Sequence, residues 1–111
     1  DHDPLDIIVL MEEKTFPGCI IEARPVGLLM MEDSGEEDDK ILAVPANDHR
    51  FDHILDIDDV PEYTKTEVRH FFATYKDLEK GKSVTVKGWQ DRSAALDAVN
   101  RSILLYNEKF Q

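Results

Sequence analysis

Three carboxylates fall within the six residues Asp1-His2-Asp3-Pro4-Leu5-Asp6. On an extended backbone Asp1 and Asp3 share a face, and Asp6 has the opposite parity. The three converge only if the chain bends between them, and Pro4 is the natural place. Carboxylates brought together repel: two unit charges about 4 Å apart interact by roughly 4 kcal/mol at a near-surface effective dielectric. Such a cluster calls for protons, cations or open solvent. Divalent-metal binding would use it, and a solvated acidic loop or an N-cap with incidental neighbours would equally account for it. A calcium-binding EF-hand wants Gly at its sixth position. Here that position is Asp6, followed by a β-rich apolar run, which argues against that motif.

A second cluster is Asp33-Ser34-Gly35-Glu36-Glu37-Asp38-Asp39-Lys40. Charge is common at an exposed hairpin tip. A carboxylate and a lysine two residues apart, however, share a strand face, so Asp38 and Lys40 can address one cavity. That pairing suits a metal–phosphate complex. A third element, Tyr75-Lys76-Asp77-Leu78-Glu79-Lys80-Gly81-Lys82, sits at the end of an expected helix. The helix dipole accounts for Lys80 and Lys82 but less well for Tyr75-Lys76. His49, His53 and His70, with the single Cys19, match no strong zinc spacing and read as loop and helix residues.

The elements that must position these groups follow from periodicity. Asp6 to Met11 reads as a buried strand, and Phe16-Pro17-Gly18 as a turn. Cys19 to Met31 is a long strand stretch, with Pro25 and Gly27 predicting a bend or bulge near Arg24. Glu32 to Asp39 is an acidic turn, and Lys40 to Val44 the returning strand. A loop with Asn47, Asp48, His49 and His53 follows. Val68, Phe71, Phe72 and Tyr75 then mark one face of a helix, with Pro61 in its first turn. Ser83 to Trp89 alternates as another strand. Asp91 is suited to cap a last helix, in which Leu96, Val99, Ile103 and Tyr106 form an apolar stripe. Mostly consecutive strands with two late helices predict an α+β domain on a small barrel or curled sheet.

The 111 residues fit one domain, and 41% hydrophobic content supports a real core. A net charge of −11, from 24 acidic and 13 basic residues, argues against nucleic acid and against an anionic membrane surface as partners. One cysteine excludes an intrachain disulfide and makes a cytoplasmic location the default. Cys19 itself reads as a small core residue. No stretch is long and apolar enough to span a bilayer, and no signal peptide is visible.

In order and spacing the chain resembles the family I soluble inorganic pyrophosphatases. The residues that carry the resemblance are Asp1-His2-Asp3-Pro4-Leu5-Asp6-Ile7, Ala23-Arg24-Pro25-Val26-Gly27, Met31-Glu32-Asp33 through Asp38-Asp39-Lys40, and Ala43-Val44-Pro45. Asp52-His53-Ile54, Asp56-Ile57, His70-Phe71-Phe72 and Tyr75-Lys76-Asp77-Leu78-Glu79 continue it. The resemblance implies an OB-like five-stranded barrel, incomplete here, with flanking helices, two of them C-terminal. It implies Mg²⁺-dependent hydrolysis of pyrophosphate to two phosphates, with Mn²⁺ or Zn²⁺ as substitutes, and a homo-oligomer, commonly a hexamer. By similarity Asp1, Asp6 and Asp38 are ligands of the tightest metal site, and Asp6 bridges to a second metal. Asp33 holds a substrate-borne metal shared with Asp38. Asp3 accepts the proton of the attacking water, and Lys40, Tyr75 and Lys76 bind phosphate oxygens.

Two departures stand out. His2 occupies a position where the family usually has a small residue; an orienting or packing role and a modulation of metal or pH response are both open. The family also carries glutamates, a lysine, an arginine and a tyrosine upstream of the signature, and these are not in this sequence. The expectation is therefore a single domain over 1–111 lacking its N-terminal part. A related nucleoside-triphosphate phosphohydrolase is one rival reading, although no base-binding pocket is evident. An inactive divalent-cation-binding fragment is the other.

Overall fold

A computed structural model describes residues 5–11, 21–75 and 83–110, the last stretch without the side chains of 105–110. Five strands are followed through as β1 (Asp6–Val9), β2 (Ala23–Asp33), β3 (Glu36–Glu37), β4 (Lys40–Pro45) and β5 (Val84–Gln90). Two helices join them, α1 (Glu62–Thr74) and α2 (Arg92–Phe110), and two short 3₁₀ turns lie between β4 and α1. The sheet runs β1-β4-β2-β3, with β5 also on β2. β1 pairs β4 in parallel, whereas β2 pairs β3, β4 and β5 antiparallel. The result is a curled, half-barrel mixed sheet with two helices, the OB-like α+β architecture expected from the sequence.

Two irregularities bend the long β2. Its register against β4 shifts between Pro25 and Gly27, where the sequence calls for a bulge. Against β5 it shifts between Met30 and Met31, opposite Gly88, whose φ of 145° suits only glycine. The β2–β3 connection is the two-residue turn Ser34-Gly35 with φ of 54° and 84°. Positive values at both central positions match the twist of the flanking strands.

Each sheet face closes its own core. On the inner face Val26, Leu42 and Val44 meet Phe51, Ile54, Ile57 and Val60 from the segment after β4, with Ile8, Leu10 and Trp89 at the margin. On the outer face Leu28 and Ile41 meet Ala95 and Ala98 of α2. Alternation along β4 divides its residues between the two clusters. Burying each of these Leu, Ile or Val side chains stabilises the fold by about 1.5–3 kcal/mol.

Each helix matches the sequence expectation only in part: Val68 and Phe72 of α1 are partly buried, and Val99 of α2 packs on the outer-face core. In α2 the buried contacts are Ala95 and Ala98, while Leu96 is 40% and Ile103 52% exposed. Alanines let the helix axis approach the sheet more closely than leucines would, which leaves Leu96 and Ile103 at the flank; the Tyr106 side chain lies outside the described residues. In α1 the buried residue is Lys65, bonded to Glu62 Oε1 at 2.8 Å, and Phe71 and Tyr75 are exposed. β2 begins at Ala23, so Cys19, expected in that strand, also lies outside the described residues.

The segment between β4 and α1 is held by side chains bonding to backbone. Arg24 donates from Nη1 to Ile54 O, and from Nη2 to Phe51 O at 2.7 Å. Asp56 Oδ1 accepts from Ile57 N at 2.7 Å and from Arg92 N at 2.8 Å. One carboxylate thus caps a 3₁₀ turn and the start of α2 together. Asp91 caps α2 as expected, through Ala94 N at 3.0 Å.

Gly27 sits under this segment: a Cβ there would lie 2.6 Å from Ile57 Cδ1 and 3.2 Å from Gln90 O. Gly27→Ala is expected to cost about 1–3 kcal/mol through overpacking, read from urea unfolding followed by the fluorescence of the single Trp89. An unchanged midpoint would mean that Ile57 repacks freely. The two backbone bonds to Asp56, that from Arg92 first, hold its pKa below the usual carboxylate value. A depressed folded-state pKa contributes stability that is complete above the unfolded value of about 3.9 and is lost as pH falls through the folded value. Asp56→Ala should therefore melt below wild type at pH 7, and the gap should close on acidification below about pH 4. A gap that persists to pH 2 would contradict the double cap.

Candidate functional site

β1 and β4 begin side by side, and their parallel register pairs Asp6 with Lys40. The two side chains meet at the open end of the inner face. Lys40 Nζ bonds Asp6 Oδ2 at 2.6 Å and Asp38 Oδ1 at 3.0 Å. The lysine side chain is only 3% exposed, against 62% for Asp6 and 32% for Asp38. A buried ammonium is therefore clasped by two carboxylates whose outer sides face solvent. Burial pulls the Lys40 pKa down, but the hydrogen bonds and charges of Asp6 and Asp38 outweigh it, and the net shift is upward. The ammonium stays charged through neutral pH.

Asp38 precedes β4 in a segment without ladder pairing of its own. It is fixed by its N–H, which donates to Met31 O at 2.9 Å, and by its neighbour Asp39, whose Oδ1 accepts from Met31 N at 3.1 Å. The Asp39 side chain thus takes the place of a missing backbone acceptor. Burial, then the nearby Glu37, raises the Asp39 pKa against the lowering effect of the Met31 bond.

Tyr75 stands at the end of α1, linked to the site through the ring of Phe72. Its N–H caps the helix onto Phe71 O at 2.9 Å. Its ring meets that of Phe72 at 5.5 Å between centroids and 78° between planes. Lys40 Nζ in turn lies over the Phe72 ring, 5.6 Å from its centroid. Asp33 stands at the end of β2, where its Oδ1 accepts from Ser34 Oγ at 3.2 Å.

Of the residues singled out in the sequence, Asp6, Asp38 and Lys40 are brought into direct contact, with Tyr75 beside them through Phe72. Asp33 does not close with Asp6 and Asp38 into one ligand set: among the described residues no three His, Cys, Asp or Glu side chains form a group that could hold a metal ion. Asp1, His2, Asp3 and Lys76 lie outside the described residues. Sequence reasoning missed three positioning groups. Asp39 was legible as an acid of the right parity to face away from Lys40. Asp56 gave no signal of its second partner, Arg92, which is distant in the chain. Phe72 was visible as one member of an apolar helix face and of the resemblance, with no sign of its contact with Lys40.

The arrangement offers hard carboxylate oxygens to a cation and a fixed ammonium to an anion, side by side. Mg²⁺ is commonly bound through one or two protein carboxylates, with waters and substrate phosphates completing its shell. Asp6 and Asp38 fit that donor chemistry. Among the described residues no helix is long and apolar enough to cross a membrane.

Comparison with known proteins converges on one group. The family model described as inorganic pyrophosphatase matches residues 1–107. An inorganic pyrophosphatase of Haloferax volcanii is 56% identical over 110 residues, which cover 99% of this chain and 62% of that relative. The crystal structure of inorganic pyrophosphatase from Thermus thermophilus superposes with a TM-score of 0.89 at 53% identity, over 95% of this chain and 62% of the other. The Helicobacter pylori inorganic pyrophosphatase gives 0.87 at 38% identity, over 95% and 63%. The chain thus spans less than two thirds of the length of these relatives. The sequence match and the fold of the described residues point to the same group, and this chain belongs to the inorganic pyrophosphatase family.

Proposed function

We propose that the polypeptide carrying this sequence hydrolyses inorganic pyrophosphate to two orthophosphates with the help of Mg²⁺. The observation that carries this reading is the buried Lys40 ammonium clasped by Asp6 and Asp38. A site made of carboxylates alone would repel an anionic substrate. The juxtaposed lysine and the capacity for divalent cations suit a substrate that travels with its metal.

In this reading Asp1, Asp6 and Asp38 would hold the tightest metal, Asp6 would also serve a second, and Asp33 with Asp38 would hold a substrate-borne metal. The metals would supply charge neutralisation and a more acidic attacking water. Asp3 accepts a proton from that water as its oxygen bonds to one phosphorus. The bond from that phosphorus to the bridging oxygen breaks, and the second phosphate leaves with the bridging oxygen. Lys40, Tyr75 and Lys76 donate to phosphate oxygens, where charge stabilisation matters most as the leaving group departs. A single domain over 1–111 and a cytoplasmic homo-oligomer, a hexamer, belong to the same proposal.

The test is phosphate release from pyrophosphate by the full polypeptide, with and without Mg²⁺. Release that depends on Mg²⁺ is expected, and its absence overturns the reading. Equal hydrolysis of a nucleoside triphosphate would favour a broader phosphohydrolase. Lys40→Met should lower kcat/KM by roughly 100-fold or more, the scale for losing one preorganised charge-stabilising donor. Asp3→Asn should lower kcat by roughly 100- to 10,000-fold with metal affinity, read by calorimetry, nearly kept. Full turnover in the Asp3 variant would remove it as the base.

A further inference from the structure

Phe72 lies outside every group to which chemistry was assigned, yet it joins two of them. Lys40 Nζ lies over its ring at 5.6 Å, and the Tyr75 ring meets it at 5.5 Å and 78°. Phe71 braces the same ring at 5.0 Å and 90° and stacks on Tyr75 at 5.6 Å and 19°. Lys40 comes from the start of β4 and Tyr75 from the end of α1, so this ring is where the two elements fix their polar groups relative to each other.

Among the described residues the other partners of Lys40 are Asp6 and Asp38, carboxylates that the proposed function also assigns to metal. A lysine seated only by such groups would lose its hold when they turn to a cation. An aromatic face attracts an ammonium without accepting a proton, binding metal or competing for phosphate. Edge-to-face contact with Tyr75 is likewise directional.

We propose that Phe72 is a positioning residue for pyrophosphate: its ring seats the Lys40 ammonium and the Tyr75 ring together and so sets the spacing of two phosphate-binding groups. This rests on the pyrophosphatase reading of the site.

The test compares wild type, Phe72→Leu and Phe72→Tyr in the full polypeptide. Leucine keeps apolar bulk and removes the ring, whereas tyrosine restores the ring face. Phe72→Leu is expected to raise KM for pyrophosphate by roughly 2- to 30-fold, the range of a cation–π contact, with a smaller change in kcat. Phe72→Tyr should return KM to about the wild-type value. Variants that melt earlier but keep the wild-type KM would make Phe72 a packing residue and overturn the proposal. A double-mutant cycle of Phe72→Leu with Lys40→Met, on unfolding without metal or substrate, gives a second readout. Coupling of roughly 2- to 30-fold in the unfolding constant is expected, and additive effects would overturn the seat. Failure of wild type to release phosphate would overturn the proposed function and the substrate role with it, while the cycle would still decide whether ring and ammonium are paired.

Discussion

The parallel pairing of β1 with β4 is the constraint on which the site depends. It sets Asp6 opposite Lys40 and sends both side chains to the same face. Strand parity leaves no intermediate arrangement: a slip of one residue would turn Asp6 toward α2 and leave the lysine buried without it. Hydrophobic pattern enforces this register. Ile8 and Leu42 take the inner core, and Leu5 and Ile41 the outer one, so the pairing that satisfies both cores also aligns the charges. The ammonium and the carboxylates inherit their geometry from apolar residues on either side of them.

Beyond the strands, irregular backbone is held by side chains that replace missing ladder partners. Asp39 does this for Met31, Arg24 for the carbonyls of Phe51 and Ile54, and Asp56 for two turns at once. Each is a charged group bonded to a backbone dipole, an arrangement stronger than a neutral pair. They fall around the edge of the half-barrel, where sheet pairing ends and loops must still be fixed. The acidic character of the chain is partly structural for this reason, and part of its negative charge serves the fold as much as any ligand.

Much of this was legible in the residues. Alternation located β5, the return after the acidic turn located β4, Pro25 and Gly27 located the bulge, and the spacing of Asp38 and Lys40 anticipated that they address one place. The Asp6–Lys40 contact was harder to read, because it depends on which strands become neighbours and in which direction, and periodicity within one segment carries no such information. Part of each helix face was misjudged for a related cause: Phe71, Leu96 and Ile103 stand exposed, while Val68, Phe72 and Val99 turn inward as expected. A hydrophobic stripe reports which residues avoid water on average, whereas Ala95 and Ala98 were selected by how close α2 must come to the sheet. The carboxylates of Asp1 and Asp3 remain readings of the sequence.

That close approach has a consequence for how α2 tolerates change. Its least replaceable positions are its smallest side chains, because any enlargement at Ala95 pushes a whole helix away from Leu28 and Ile41. Among its described side chains Leu96, Ile103 and Leu104 are larger, yet they stand outward of that seam. At this seam the room left for a side chain, more than its hydrophobicity, decides which substitutions the helix can accept.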